Sequence, residues 1–347
     1  MTLLNRLVPS RALASKVLAM LVVLLMTSET LAQKTVIAHR GASGYLPEHT
    51  LPAKAMAYAM GAHFIEQDLV MTADDQLIVL HDITLDRTTD VAEKFPDRAR
   101  ADGRYYAIDF TLAEIRHLAA TEGFELEAGE KVQGFQDRFP MNRSSFQVPT
   151  FQEEIEMIQG LNVATGQQIG IYPEIKQAAF HRAEGKDIST AVVNVLKEYG
   201  YTEKDDLVFL QTFEFEELQI IKEQLFPAVG IDVRLVQLLG SADSYPWMFA
   251  EGGMERLAEL ADGIGPSYNL IIDRRSTRDN IIESGLVEQA HDAGLLLHPY
   301  TFRADAGLVP AYAADFEDLL EIHLFRAGVD GLFTDFPDRA VRFLQNR

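Results

Sequence analysis

The chain has 347 residues, 47% of them hydrophobic, which is enough for a large core in one big domain or two ordinary ones. Its formal charge of −21 excludes ready attraction to nucleic acid or to an anionic membrane surface. It has no cysteine, which removes disulfides, thiolate metal ligands, cysteine nucleophiles and a lipid thioether anchor together.

The first residues read as a secretory signal. Arg6, Arg11 and Lys16 form a basic start, 17–26 is an unbroken apolar run, and Thr30-Leu31-Ala32 offers a small-residue cleavage site. Residues 1–32 are therefore expected to be removed, and Gln33 to begin the mature chain. The apolar run is shorter than the ~18 residues of a membrane span, which favours cleavage over an uncleaved anchor. Loss of the segment's net +2 takes the mature chain to −23. Export to a bacterial periplasm, with no stable membrane anchor, is the expectation.

Beyond the signal, apolar runs at 35–38, 64–70, 169–175, 207–211, 233–239, 263–266, 295–300 and 331–333 alternate with helical patterns. Pro52 near a helix start and Gly61, Gly200 and Gly294 as helix stops punctuate them. Eight strand–helix repeats predict an α/β fold, a TIM (β/α)8 barrel, with 33–347 as one domain. An open doubly wound sheet would carry a dinucleotide-binding glycine turn after its first strand, and HRGASG does not match one. A hairpin is expected where 76–81 follows 64–70 across the polar turn 72–75. The stretch 83–148 is long and irregular, with a short helix near 112–118; its Phe, Tyr and Ile content predicts an insertion packed on the barrel or on a subunit partner.

Function in such a barrel sits where strands end, so polar residues closing apolar runs carry the interest. The first run ends in His39 and Arg40, the second contains Glu66 and Asp68, the hairpin ends in His81, and the third ends in Glu174 and Lys176. The fourth ends in Gln211 and Phe213, and the last in Thr334 and Asp335. Residues two apart share a strand face, which groups Glu66 with Asp68 and Glu174 with Lys176. Three buried carboxylates repel one another unless a cation lies between them, and an all-oxygen set selects Ca²⁺ or Mg²⁺ over zinc. His39 and His81 beside such a site suit acid and base work near neutral pH. Arg40 can fork onto a phosphate and Lys176 can add a point charge, although salt bridges to the same carboxylates are the simpler role when no ligand is bound. Glu66, Asp68 and Glu174 against Arg40 and Lys176 leave the cluster at −1, and a divalent cation makes it +1. Glu48 stands apart as a brace for Arg40 or His39 or as an outer-shell group.

HRG at 39–41, PEHT at 47–50, E-x-D at Glu66 and Asp68, HD at 81–82, E-x-K at Glu174 and Lys176 and TDFP at 334–337 together resemble the glycerophosphodiester phosphodiesterases. The resemblance covers nearly the whole mature chain. PEHT, the DGRYYAIDFTL stretch and IGPSY look like the periplasmic bacterial branch, which includes a calcium-dependent enzyme. Many members carry asparagine where His49 stands, and His49 is assigned no chemistry. The resemblance implies metal-dependent hydrolysis of a small-molecule glycerophosphodiester to an alcohol and sn-glycerol 3-phosphate, with His39 as general base and His81 as general acid. It implies Glu66, Asp68 and Glu174 as ligands, Ca²⁺ ahead of Mg²⁺, and phosphate binding by Arg40 and Lys176. A homodimer is compatible with the family and with the insertion. Phe213, Trp247 and Phe336 are candidates either for a wall against the glycerol carbons or for the core. Two rival readings are a related phosphodiesterase acting on phosphatidylinositol or teichoic acid, and a non-catalytic periplasmic binding protein. Two histidines argue against the second, since binding alone needs no acid–base pair.

Overall fold

The computed structural model describes residues 34–347; the signal-like segment lies outside the described residues. Eight parallel strands follow in chain order: β1 Thr35–Ala38, β2 Phe64–Met71, β3 Gly170–Ile175, β4 Phe209–Thr212, β5 Arg234–Leu239, β6 Gly263–Pro266, β7 Leu296–Leu297 and β8 Gly331–Thr334. A helix comes after each: α1 Leu51–Ala59, α2 Phe151–Thr165, α3 Ile188–Glu198, α4 Phe215–Ile220, α5 Gly253–Ala258, α6 Leu286–Asp292, α7 Phe316–Glu321 and α8 Pro337–Gln345. The strands pair in the order β7-β6-β5-β4-β3-β2-β1-β8. Bonds from Asp330 N to Leu297 O (3.1 Å) and from Phe333 N to Pro299 O (2.9 Å) bring β8 against the β7 segment, so the sheet nearly closes into a TIM barrel.

The inward-facing residues explain where the chemistry sits. Ile37, Phe64, Tyr172, Phe209, Val236 and Phe333 form one apolar cluster inside the barrel. Gly170 makes room for it, because a Cβ there would lie 2.4 Å from the Phe64 ring. Side chains alternate along a strand, so the next inward position lies two residues on. Those positions are His39, Glu66, Glu174, Gln211, Leu238 and Asp335. An apolar plug thus gives way to a polar layer at the C-terminal ends of the strands. Register places Asp68 opposite Glu174 and Glu174 opposite Gln211. Behind the wall, Lys54 of α1 and Glu154 of α2 form a fully buried ion pair of 2.9 Å, and Lys54 also donates to the Glu66 carbonyl.

The predicted hairpin is present: Leu77–Val79 runs antiparallel to the end of β2, with Val70 opposite Ile78. The insertion that follows has its own core, in which Leu85, Val91, Phe110 and Ile115 pack with Val70 and Ile78. Its short helix spans Leu112–Ile115, started by a reciprocal capping box between Thr111 and Glu114. It also contains a two-stranded ribbon, Phe124–Glu127 paired with Glu130–Gln133.

Three elements are short or change form along their length. β7 is regular only at Leu296–Leu297: His298 N and Tyr300 N still donate to Ile264 O and Pro266 O, but Pro266 and Pro299 have no N–H to donate in turn. α4 passes into a wider π-type turn at Ile221–Leu225, and α7 does the same at Ile322–Ala327.

Candidate active site

Nine of the residues singled out above line one cavity of about 350 Å³ at the C-terminal ends of the strands: His39, Arg40, Glu66, Asp68, His81, Glu174, Lys176, Gln211 and Phe213. The cavity therefore joins β1, β2, the hairpin, β3 and β4.

The carboxylates of Glu66, Asp68 and Glu174 each offer an oxygen within 4.8 Å of the others, and all three residues are buried. Burial, then the charge of Asp68, pushes Glu66 well above the ordinary carboxylate range. Burial also raises Glu174, to about 8, against the pull of Lys176. Asp68 goes the other way: burial alone would raise it, but Lys176 and His49 hold it well below its usual value. Asp68 Oδ1 and Gln211 Oε1 are buried without a hydrogen-bond partner. Oxygen donors alone, mutual repulsion and unspent acceptors fit a hard divalent cation.

The two histidines are held alike. His39 Nδ1 lies 2.6 Å from Asp335 Oδ1, which leaves Nε2 at 3.4 Å from Thr301 Oγ1 and 3.9 Å from Glu66 Oε2. His81 Nδ1 lies 2.6 Å from Asp82 Oδ1, and Asp82 is held in turn by Arg87 Nε at 3.1 Å. A carboxylate accepting from Nδ1–H fixes the tautomer and turns the Nε2 lone pair to the cavity. Burial, then Arg40, lowers His39 to about 4 despite Asp335, so its ring is neutral at physiological pH. His81 is lowered by burial and by Arg40 and Lys176. Asp335 is kept ionised by His39, Arg303 and Arg138 although burial opposes it; Arg138 Nη2 lies 2.6 Å and Arg303 Nε 2.8 Å from its Oδ2.

The cationic residues sit on the carboxylates. Lys176 Nζ is 2.7 Å from Glu174 Oε1. Arg40 Nη1 donates to Glu48 Oε2 at 2.9 Å, and its backbone N–H donates to Glu66 Oε2 at 2.8 Å. Glu48 also takes Arg87, so it braces two guanidiniums. Gln211 Nε2 donates to Glu66 Oε1 at 3.3 Å. Phe213 stands at the rim, 37% exposed, edge-on to Tyr300. Trp247 and Phe336 are not part of this wall: Trp247 packs on Phe215, and Phe336 packs between Tyr45 and Phe316.

Four groups that had no assigned role complete the site. His49 Nε2 is 2.7 Å from Asp68 Oδ2, and burial lowers it to about 3, so a neutral ring donates and orients that carboxylate. Its backbone is left-handed (φ 60°), as is that of Arg40 (φ 58°). Histidine and asparagine both tolerate that conformation and both hydrogen-bond, which explains why either suits position 49. Asp335 and Asp82 orient the two rings; TDFP and HD were their sequence traces. Arg138 has no local signal, because it reaches Asp335 from the insertion, 197 residues away.

Residues 39–339 match the Glycerophosphoryl diester phosphodiesterase family. The chain belongs to that family. A glycerophosphodiester phosphodiesterase of Haemophilus influenzae is 47% identical over 331 residues, which is 90% of each chain. One of Treponema pallidum is 40% identical over 330 residues, 90% of this chain and 92% of the relative. Among solved structures, a phosphodiesterase of Oleispira antarctica in complex with the product sn-glycerol-3-phosphate superposes with a TM-score of 0.59, at 23% identity and covering 90% of this chain and 96% of that one. A glycerophosphodiester phosphodiesterase of Agrobacterium tumefaciens gives a TM-score of 0.57 at 23% identity, covering 89% and 99%. Both share the fold of this family member.

Proposed function

We propose that this protein hydrolyses glycerophosphodiesters such as glycerophosphocholine or glycerophosphoethanolamine to an alcohol and sn-glycerol 3-phosphate, acting in the periplasm after loss of residues 1–32. The observation that carries the reading is one cavity with two carboxylate-held imidazoles flanking three converging carboxylates. Glu66, Asp68 and Glu174 would hold a divalent cation, Ca²⁺ before Mg²⁺. Bound there, the ion supplies electrostatic stabilisation of a non-bridging phosphate oxygen.

The chain's own residues account for the proton transfers. His39 Nε2 takes a proton from the attacking oxygen, that of water or of the glycerol's neighbouring hydroxyl, as its bond to phosphorus forms. The bond from phosphorus to the alcohol oxygen breaks, and His81 delivers a proton to that oxygen. With water as nucleophile this gives sn-glycerol 3-phosphate directly; with the hydroxyl it gives a cyclic phosphate, which water then opens as His81 takes the water's proton and His39 returns one to the released hydroxyl. A phosphodiester anion beside His81 offsets Arg40 and Lys176 and favours its protonated form. Arg40 has an Nε without a hydrogen-bond partner and is placed to share the added charge. A coupled assay for glycerol 3-phosphate, run on glycerophosphocholine, tests the reading; binding without product would overturn it.

The raised carboxyls predict a pH-dependent metal affinity. Glu66 and Glu174 lie above the ordinary range, Glu174 at about 8, so the metal-free site is protonated below that pH and the ion must displace protons. Calcium affinity should fall as pH falls from about 8 to about 6, by up to roughly tenfold per unit for each proton displaced. Calorimetry in buffers of different ionisation heat reads both affinity and proton release. A flat profile with no proton release contradicts this.

A further inference from the structure

A second chamber of about 440 Å³ adjoins the catalytic cavity on the side of the insertion, sharing His39, Arg40 and Arg303 with it. Its guanidiniums are already committed: Arg40 and Arg87 to Glu48, and Arg138 and Arg303 to Asp335. Glu122 differs. It lines the chamber, is only 4% exposed, and its Oε2 has no hydrogen-bond partner. The backbone around it is fixed, with Thr121 N bonded to Thr88 O at 2.8 Å and Phe124 N to Arg87 O at 3.1 Å. Gly123 beside it lies close under the Arg87 side chain, where a Cβ would come 2.5 Å from Nη1. A buried acceptor with no partner costs free energy unless a ligand uses it. The unspent group here is a carboxyl, so the ligand it suits is a hydrogen-bond donor, and best a cationic one.

We propose that this chamber receives the departing alcohol of the substrate and that Glu122 recognises an ammonium group on it. The inference rests on the phosphodiesterase reading above and adds a basis for head-group choice. The glycerol arm faces the apolar side of the main cavity, formed by Phe213, Leu238, Tyr300 and Leu308. The alcohol oxygen stays in the main cavity with both histidines, and its substituent turns past Arg40. Phe124 and Phe135 wall the chamber against the alcohol's carbons. Burial raises the Glu122 carboxyl to about 8, so it is neutral in the empty chamber and an ammonium ion favours its ionised form.

The test compares glycerophosphoethanolamine with glycerophosphoglycerol, whose departing alcohol is uncharged, in the wild type and in Glu122→Gln, which copies the neutral carboxyl. The ratio of kcat/KM for the first substrate to that for the second should fall by roughly tenfold or more in the variant, as expected for loss of one charge-assisted hydrogen bond. An unchanged ratio overturns the proposal. Should the variant fail to fold, the wild type decides. Free ethanolamine should inhibit glycerophosphoglycerol hydrolysis where ethylene glycol does not, and equal effects of the two overturn the proposal. A wild type that turns over neither diester would instead sink the phosphodiesterase reading itself.

Discussion

His39→Ala and His81→Ala should each lower kcat by about 10²-fold or more while shifting KM by less than about threefold. Each ring is anchored through Nδ1, to Asp335 or to Asp82, and presents Nε2 to the same cavity. Neither ring supports the carboxylate trio by a short hydrogen bond, since His39 Nε2 is 3.9 Å from Glu66. Their loss therefore removes proton transfer and leaves substrate contacts in place. The two roles separate with the leaving group. A nitrophenyl ester departs as a stable anion and needs no proton, so His81→Ala should recover much of its activity on that substrate. His39→Ala should not, because the attacking oxygen still has a proton to lose. Equal losses on both substrates in both variants would remove the acid–base assignment.

Removing the metal should cost more than removing either ring. The cluster of Glu66, Asp68, Glu174, Arg40 and Lys176 is −1 when fully ionised and +1 with a divalent cation. A phosphodiester anion placed at roughly 4 Å feels each unit of that change as a few kcal/mol at the effective dielectric of a protein site. The structure adds a condition to this arithmetic. Because Glu66 and Glu174 are raised, the metal-free cluster takes up protons near neutral pH and relieves part of its own repulsion. The contrast between loaded and stripped protein should grow as pH rises through about 8, where Glu174 ionises without help. Chelated protein should there lose turnover by more than about 10³-fold, through weaker phosphate binding and an uncompensated transition-state charge together. Restored Ca²⁺ should return it.

Strand periodicity made the polar layer at the strand ends legible. His39, Glu66, Glu174, Gln211 and Asp335 are each the inward neighbour of a barrel-core residue, so Phe64 to Glu66 and Tyr172 to Glu174 are single steps of two along a strand. That rule holds wherever both faces of a strand are buried, as in β2, all eight residues of which are buried. It does not reach groups supplied by irregular backbone. Arg138 and Glu122 come from the insertion, where no period links sequence to direction, and their partners are set by how that segment folds over the barrel rim. His49 was invisible for a different reason: its role depends on a left-handed turn that aims it at Asp68, which composition does not announce. The aromatic wall was half legible. Phe213 lies two residues beyond Gln211 and reaches the cavity rim, whereas Trp247 sits among helices.

The most direct test is a calorimetric titration of sn-glycerol 3-phosphate, which is not turned over, into chelated and Ca²⁺-loaded protein above about pH 8. Acids from separate strands meeting on one cation beneath the phosphate predict binding at least roughly tenfold tighter with the ion present, with the gain lost in Glu66→Ala. Equal affinity with and without the ion would contradict that arrangement.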